Sequence, residues 1–200
     1  MRAMVPIRAI RLSLALVTGW ATAGSGQTAA SRPIPAAKTA EGSLSFEGRA
    51  NVGDFTGTTT TLSGEMSGGP DLSAVRGWVE SPVATLKTGK DRRDRDLLKS
   101  MEADKYPTLR FDLDDVVGQN TADSVPVTLK GRLSIHGIVR PVELPGSVVL
   151  SADHARVRSD FPLNLKDYKI GGLSKMMGML RMYEDITVHV DVTFRFGGEK

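Results

Sequence analysis

Thr88–Phe111 reads T-G-K-D-R-R-D-R-D-L-L-K-S-M-E-A-D-K-Y-P-T-L-R-F, and it is the clearest helix signal in a chain that otherwise reads as β. Thr88-Gly89 makes a turn. Asp91 or Asp94 is the expected N-cap of a helix whose first turn is dense with charge. Leu97, Leu98 and Met101 fall at i, i+1 and i+4, which forms an apolar ridge on one side. Lys105-Tyr106-Pro107 stops the helix, because proline cannot continue the hydrogen-bond ladder. A strand follows at once. The mixed-sign run Lys90–Asp96 reads as a solvated helix start; the alternative is that its arginines hold the polar end of a ligand.

Outward from that stretch, short alternating segments recur. Ser43–Asn51 sets Leu44, Phe46, Gly48 and Ala50 against Ser45, Glu47 and Arg49, as a half-buried strand does. Thr58–Glu65 and Val75–Leu86 (with Trp78, Val79, Val83 and Leu86) are expected as the next two, and Ser81-Pro82 marks an edge or a bulge. After the helix come Thr108–Val117, Val125–Ile135, Val139–Leu150, Ala155–Leu165 and Ile186–Phe196. His136-Gly137 is a tight turn between two of them. Pro141 and Pro145 interrupt the Val139–Leu150 segment. Ile186–Phe196 alternates most cleanly, with Ile186, Val188, Val190, Val192, Phe194 and Phe196 on one face. About eight strands at such spacing predict an all-β antiparallel sandwich or closed barrel with one or two short helices. A barrel of that size encloses packed side chains or one elongated ligand.

One segment breaks the alternation. Gly171–Glu184 carries Met176, Met177, Met179 and Met182, four of the chain's eight methionines, together with Leu180. Methionine is adaptable and common on binding surfaces. The segment reads either as a short helix covering the core or as an apolar flap at a barrel mouth.

The ends of the chain read differently. Arg2, Arg8 and Arg11 precede the short apolar run Leu12–Trp20 and the small-residue site Ala21-Thr22-Ala23, which is the order of a secretory signal peptide cut after Ala23. The alternative is an uncleaved anchor, although the run is short for a bilayer. Residues 24–42 read as a flexible leader, and the folded domain is expected over 43–196. The whole chain has 26 Lys+Arg against 23 Asp+Glu; without the three signal arginines it is 23 against 23, so its basic balance does not argue for nucleic acid. No cysteine is present, which excludes disulfides, thiolate metal sites and a cysteine nucleophile.

Little else carries chemistry. His136, His154 and His189 lack metal-ligand spacing, and no metal or cofactor is expected. No G-x-S-x-G elbow, P-loop or dinucleotide fingerprint occurs. Asp114-Asp115 are strand neighbours and point to opposite faces rather than acting as a pair.

At Thr88-Gly89, Arg93-Asp94, Leu97 to Ser100, Tyr106-Pro107 and Phe111 the chain resembles the YceI family. Lys130–Val142 (K-G-R-L-S-I-H-G-I-V-R-P-V) resembles the same family's strand-turn-strand, and the likeness spans about Ser43 to Phe196. It departs at Asp96, where the family often has histidine, and at Met101–Asp104, which is shorter and less aromatic. The resemblance implies a lipocalin-like antiparallel barrel, exported to the periplasm or secreted, whose interior binds a polyisoprenoid, quinone or similar amphiphilic lipid. It implies no enzymatic activity. The apolar residues then expected to line the ligand are Phe46, Trp78, Leu97, Leu98, Met101, Phe111, Ile135, Phe161, Met176, Met179 and Leu180. A homodimer is left open. The competing readings are an outer-membrane-associated barrel, or a stress-linked protein with a catalytic site not visible in sequence. With only 6% aromatics the chain lacks the material for the girdles of a lipid-embedded barrel.

Overall fold

A computed structural model of the chain describes residues 33–118, 124–171, 174–175 and 180–197. Ten antiparallel strands are β1 Ala37–Ala50, β2 Phe55–Thr59, β3 Ser63–Ser67, β4 Arg76–Pro82, β5 Thr108–Val117, β6 Ser124–Ile135, β7 Ile138–Leu150, β8 His154–Asn164, β9 Ser174–Lys175 and β10 Leu180–Phe196. Among the described residues a single α-helix, α1 Asp91–Ser100, interrupts them.

The strands close into one eight-stranded barrel. β2 and β3 lie end to end along β1, pairing with Leu44–Gly48 and Ala37-Lys38, and together count as one staves' width of wall. From there the order runs β3, β4, β5, β6, β7, β8, β10, and β10 returns to β1 along almost its full length. Closure removes the free edges of the sheet except along the first part of β7, which β8 does not pair. The expected Thr58–Glu65 strand is thus two strands. They part at Thr60–Leu62, where Thr61 N–H bonds its near neighbour Thr59 Oγ1 instead of the ladder. The expected Val75–Leu86 strand also ends early: Pro82 is its last residue, and Val83–Thr85 turns into a 3-10 helix.

β1 begins at Ala37, ahead of the expected start at Ser43, and Ile34 is buried before it. Ile34 bonds Gly69 in both directions, N–H to O at 2.8 Å each way. An isolated isoleucine between two prolines has no period for a sequence pattern to detect. The expected signal peptide, Met1–Ala23, lies outside the described residues.

The strand alternation sorts side chains as the sequence predicts. On β6 the residues Val125, Val127, Leu129, Leu133 and Ile135 are buried while Arg132 is exposed. Ile186, Val188, Val192 and Phe194 of β10 point into the same interior. The outer wall is ionic. Asp191 accepts from Arg156 (2.7 and 2.6 Å) and Arg158 (2.9 Å), and the Arg156 hydrogen bonds hold its carboxyl below the usual range. Lys130 meets Glu143 at 3.2 Å and Arg132 meets Asp114 at 3.3 Å.

β7 stays continuous through Pro141 and Pro145 because of what flanks it. Its pairing with β8 covers only Gly146–Leu150, so both prolines sit where no neighbour on that side needs an N–H. The 3-10 helix Leu165–Tyr168 stands beside this parting: Arg140 Nη1 donates to Asp167 O at 3.2 Å, and His136 Nδ1 lies 3.0 Å from Tyr168 O. His136 (φ 52°) and Gly137 (φ 73°) form the left-handed two-residue turn that suits a hairpin. The Tyr106 ring packs on that turn, 4.7 Å from the His136 ring centre.

The helix is capped differently from expectation. Lys90 occupies the N-cap and makes no side-chain cap bond. Asp94 instead reaches back and accepts from Thr88 N–H at 2.7 Å and Thr88 Oγ1 at 2.6 Å, with Gly89 (φ 72°) supplying the left-handed bend between them. These Thr88 bonds favour the carboxylate and lower the Asp94 pKa from 3.8. A lowered folded-state pKa adds stability above the unfolded value, and that stability is lost as pH falls through the folded value. Asp94→Asn is therefore expected to melt at lower temperature than the parent at neutral pH. The gap should close as pH drops well below 3.8. Melting curves at both pH values decide it; a constant gap would assign the effect to something other than the charge.

Candidate functional site

The barrel interior is not filled. It holds a cavity of about 440 Å³, within the size range of small-molecule sites. Its wall is built from the inward alternates of the strands: Leu44 and Phe46 of β1, Val79 of β4, Leu109, Phe111 and Leu113 of β5, Leu129, Leu133 and Ile135 of β6, Phe161 and Leu163 of β8, and Ile186 to Phe194 of β10. Several of these, including Val79, Phe111 and Leu113, are only half buried within the barrel, because empty space rather than another side chain faces them.

Glycines let two aromatic rings lie flat in this wall. A Cβ on Gly57 would collide with the Phe46 ring, and one on Gly48 would come within 2.6 Å of the Phe55 ring. Phe46 and Phe55 then meet edge to face at 6.1 Å. Phe55 begins β2 and borders the cavity, although no apolar alternation marks it in the sequence. Only the bare glycine opposite it could have signalled this.

Helix α1 lies across one end. Arg93, Asp96, Leu97, Ser100 and Met101 border the cavity from it. The Arg93 guanidinium sits over the Phe55 ring at 4.5 Å. The turn between β1 and β2 contributes Val52, Gly53 and Asp54, and the start of β10 contributes Arg181 and Met182.

Of the residues expected to line a ligand, the structure brings Phe46, Leu97, Met101, Phe111, Ile135 and Phe161 to the cavity. Leu98 packs against the core instead and does not border the cavity, since its position next to Leu97 turns it to another side of the helix. Trp78 borders the wall, but its register with Glu65 and Asp112 sets its side chain on the outer face. There the Arg110 guanidinium covers the ring at 4.5 Å and is itself held by Glu80 (3.0 Å) and Asp112 (2.9 Å). An aromatic next to a valine in a strand gave no cue to which of them faces inward. Met176 and Met179 lie outside the described residues, as does the Leu180 side chain, whose backbone opens β10. The described parts of that segment are strand, β9 pairing with Leu180-Arg181, rather than helix.

The histidines do not converge. His154 bonds Asp153 at 2.7 Å, His189 bonds Asp160 at 2.5 Å on the outer wall, and His136 is buried beside Tyr168. Among the described residues, no group of three His, Asp or Glu side chains gathers to hold a metal.

A closed eight-stranded antiparallel barrel around an apolar cavity, with one helix across its end, is the geometry that the two sequence blocks imply. Residues 36–194 match the family described as the YceI-like domain. The chain belongs to the YceI family. Solved structures share its fold. A polyisoprenoid binding domain from Saccharophagus degradans, implicated in plant cell wall breakdown, superposes with TM-score 0.67 at 16% identity, covering 82% of this chain and 99% of that one. BcnA of Burkholderia cenocepacia gives 0.64 at 15% identity over 76% of this chain and 95% of its own. A Campylobacter jejuni YceI protein gives 0.57 at 17% identity, over 71% and 85%. No curated protein matches the chain by sequence.

Proposed function

We propose that this YceI-family barrel binds a long apolar chain, of isoprenoid or quinone type, and serves as a carrier or sequestering protein in the periplasm or outside the cell. The observation that carries the reading is the cavity wall, which is predominantly aliphatic and aromatic. Burying a hydrocarbon chain yields about 0.8 kcal/mol per CH₂, so such a wall binds without a catalytic group. The Saccharophagus domain of the same fold is described as polyisoprenoid binding, which supports the ligand class. The basic, apolar and small-residue order of Met1–Ala23 supports export.

Two features weigh against the competing readings. A lipid-embedded barrel turns apolar residues outward, whereas Arg156, Arg158, Asp160, His189 and Asp191 occupy the outer face here. As for catalysis, two of the three serines bordering the cavity spend their hydroxyls on backbone carbonyls: Ser81 on Thr61 O at 2.9 Å and Ser159 on Pro145 O at 2.7 Å.

Organic extraction of the purified protein followed by mass spectrometry tests the proposal. A co-purifying lipid with a long unsaturated chain, near one per protein, is the expected result. Extracts free of lipid, combined with failure to bind added polyprenyl quinone, would sink it.

A further inference from the structure

The barrel wall parts between β7 and β8, and the sequence keeps it parted. β8 pairs with β10 along its whole length, from His154 to Asn164, and β7 pairs with β6 from Ile138 onward. Between themselves β7 and β8 pair only from Gly146↔Ser159 to Leu150↔Ala155. Ile135 and Ile138 flank the two-residue turn as a hydrogen-bonded pair, so the odd-numbered residues of β7 from Val139 turn their backbone groups toward β8. Carried onward, the β7–β8 register would set Pro145 opposite Asp160, Glu143 opposite Pro162 and Pro141 opposite Asn164. Each of these pairs contains a proline and so lacks an N–H that closure needs. Pro145 O is already taken, accepting from Ser159 Oγ at 2.7 Å.

The 3-10 helix Leu165–Tyr168 fills the opening. Leu165, Tyr168 and Ile170 are buried, and Leu165 and Ile170 border the cavity, as do Leu144, Phe161 and Leu163 from the parted strands. This plug is held unequally on its two sides. It continues directly from β8, and Lys166 Nζ donates to Glu184 at 2.6 Å while Asn164 Nδ2 donates to Asp185 at 2.7 Å, which tie it to β10. Toward β7 it is held by side chains rather than by a ladder. There Arg140 Nη1 donates to Asp167 O at 3.2 Å and lies 3.6 Å from the Asp167 carboxylate, and His136 Nδ1 lies 3.0 Å from Tyr168 O. The Arg140 and Asp167 side chains are 48% and 54% exposed, where an ion pair is weak.

We infer that this opening is a lateral gate: the 3-10 helix Leu165–Tyr168 moves with β8 away from β7, and an apolar chain passes sideways between the two strands into or out of the barrel. The inference rests on the reading of the cavity as an apolar-chain site and adds the route to it. A lateral route suits a long chain, which enters along its length instead of being threaded end first. Opening breaks no strand ladder, because the prolines leave none there to break.

Stopped-flow fluorescence of retinol, an isoprenoid alcohol that brightens on burial, reads association with and release from the full-length protein. Arg140→Ala loosens the hold on β7 at a residue that does not border the cavity. Both rates should rise together, about three- to fivefold, the range an exposed pair permits, and Kd should stay as in the parent. Arg132→Ala breaks a comparable exposed pair elsewhere on the wall and should change neither rate. The opposite change is a bridge. The chain has no cysteine, so Arg140→Cys/Asp167→Cys carries only two thiols, which a short bis-methanethiosulfonate reagent joins. Bridging should slow both rates about tenfold or more, and reduction should restore them. Unchanged rates in the bridged protein, unchanged rates in Arg140→Ala, a shift in Kd in place of matched rates, or equal acceleration by Arg132→Ala overturns the gate and leaves the cavity reading intact. Absence of retinol binding by the parent overturns both.

Discussion

Leu97→Asp/Met101→Asp is expected to empty the barrel: no lipid should remain on the purified protein, and added isoprenoid should not bind. Both side chains border the cavity from α1, Leu97 half buried and Met101 9% exposed. Leu97 is the free-facing part of the ridge, and Met101 follows the last helical turn with its N–H bonded to Leu97 O at 2.9 Å. Two carboxylates there put charge against the part of an apolar tail that reaches the helix-covered end, where each would have to be desolvated or drag in water. An unpaired polar group in such a place costs about 1–3 kcal/mol, more when charged, and a ligand that contacts both loses that much affinity at each. Leu97 is half buried, whereas Met101 belongs to the buried core, so its aspartate also costs stability and the fold is read beside the cargo. Extraction with mass spectrometry reads the cargo and circular dichroism reads the barrel. Val127→Ala serves as the comparison: Val127 is buried but does not border the cavity, so it loses about 1–3 kcal/mol of stability while keeping its lipid. Retention by the double aspartate variant would remove α1 from the ligand site. Loss of lipid from Val127→Ala as well would assign the effect to stability alone.

The part of this structure that sequence announced was the part governed by repetition. β5 begins and ends where the alternation from Thr108 to Val117 said, β6 and β7 differ from expectation by a residue at one end, and β8 by a residue at each end. A strand with one apolar face has a single register that hides it, so pattern and structure agree. What sequence could not supply depends on partners distant along the chain. Ile34 is buried only because Gly69 bonds it from across the barrel end. Asp94 acts on Thr88 behind it, not on the helix start ahead of it, because Gly89 folds the chain back. Trp78 and Val79 are neighbours of similar apolarity, and the barrel turns the smaller one inward because Phe111 and Leu133 line up with it across the wall. The ligand site shares that split. Its wall was legible as the inward face of each strand; its charged mouth was not, since Arg93, Asp54 and Arg181 come together only through the β1–β2 turn.

The same dependence on a distant neighbour makes Gly131 the most sensitive position in the wall. It sits on β6 opposite Leu113, next to the bulge between Leu113 and Asp115 on β5. A Cβ there would overlap the Asp112 carbonyl oxygen and lie 2.8 Å from the Phe111 ring. The ring could swing into the cavity, but the carbonyl belongs to the β5 backbone and can move only if the ladder does. Gly131→Ala is therefore expected to cost about 3 kcal/mol, at the upper end of overpacking. That corresponds to a fall in melting temperature of roughly 6–12 °C at this chain length. Gly57→Ala is the informative contrast, because the three nearest atoms its Cβ meets all belong to the Phe46 ring. Truncating that ring gives the methyl room, so Phe46→Leu should be less damaging in the Gly57→Ala background than alone. Phe111→Leu should give Gly131→Ala no such relief, since the Asp112 oxygen stays in place. Double-mutant cycles read from thermal unfolding measure both couplings. A Gly131 cycle with relief as large as the Gly57 cycle would show that β5 yields at the bulge, and that the wall there is softer than its close approach implies.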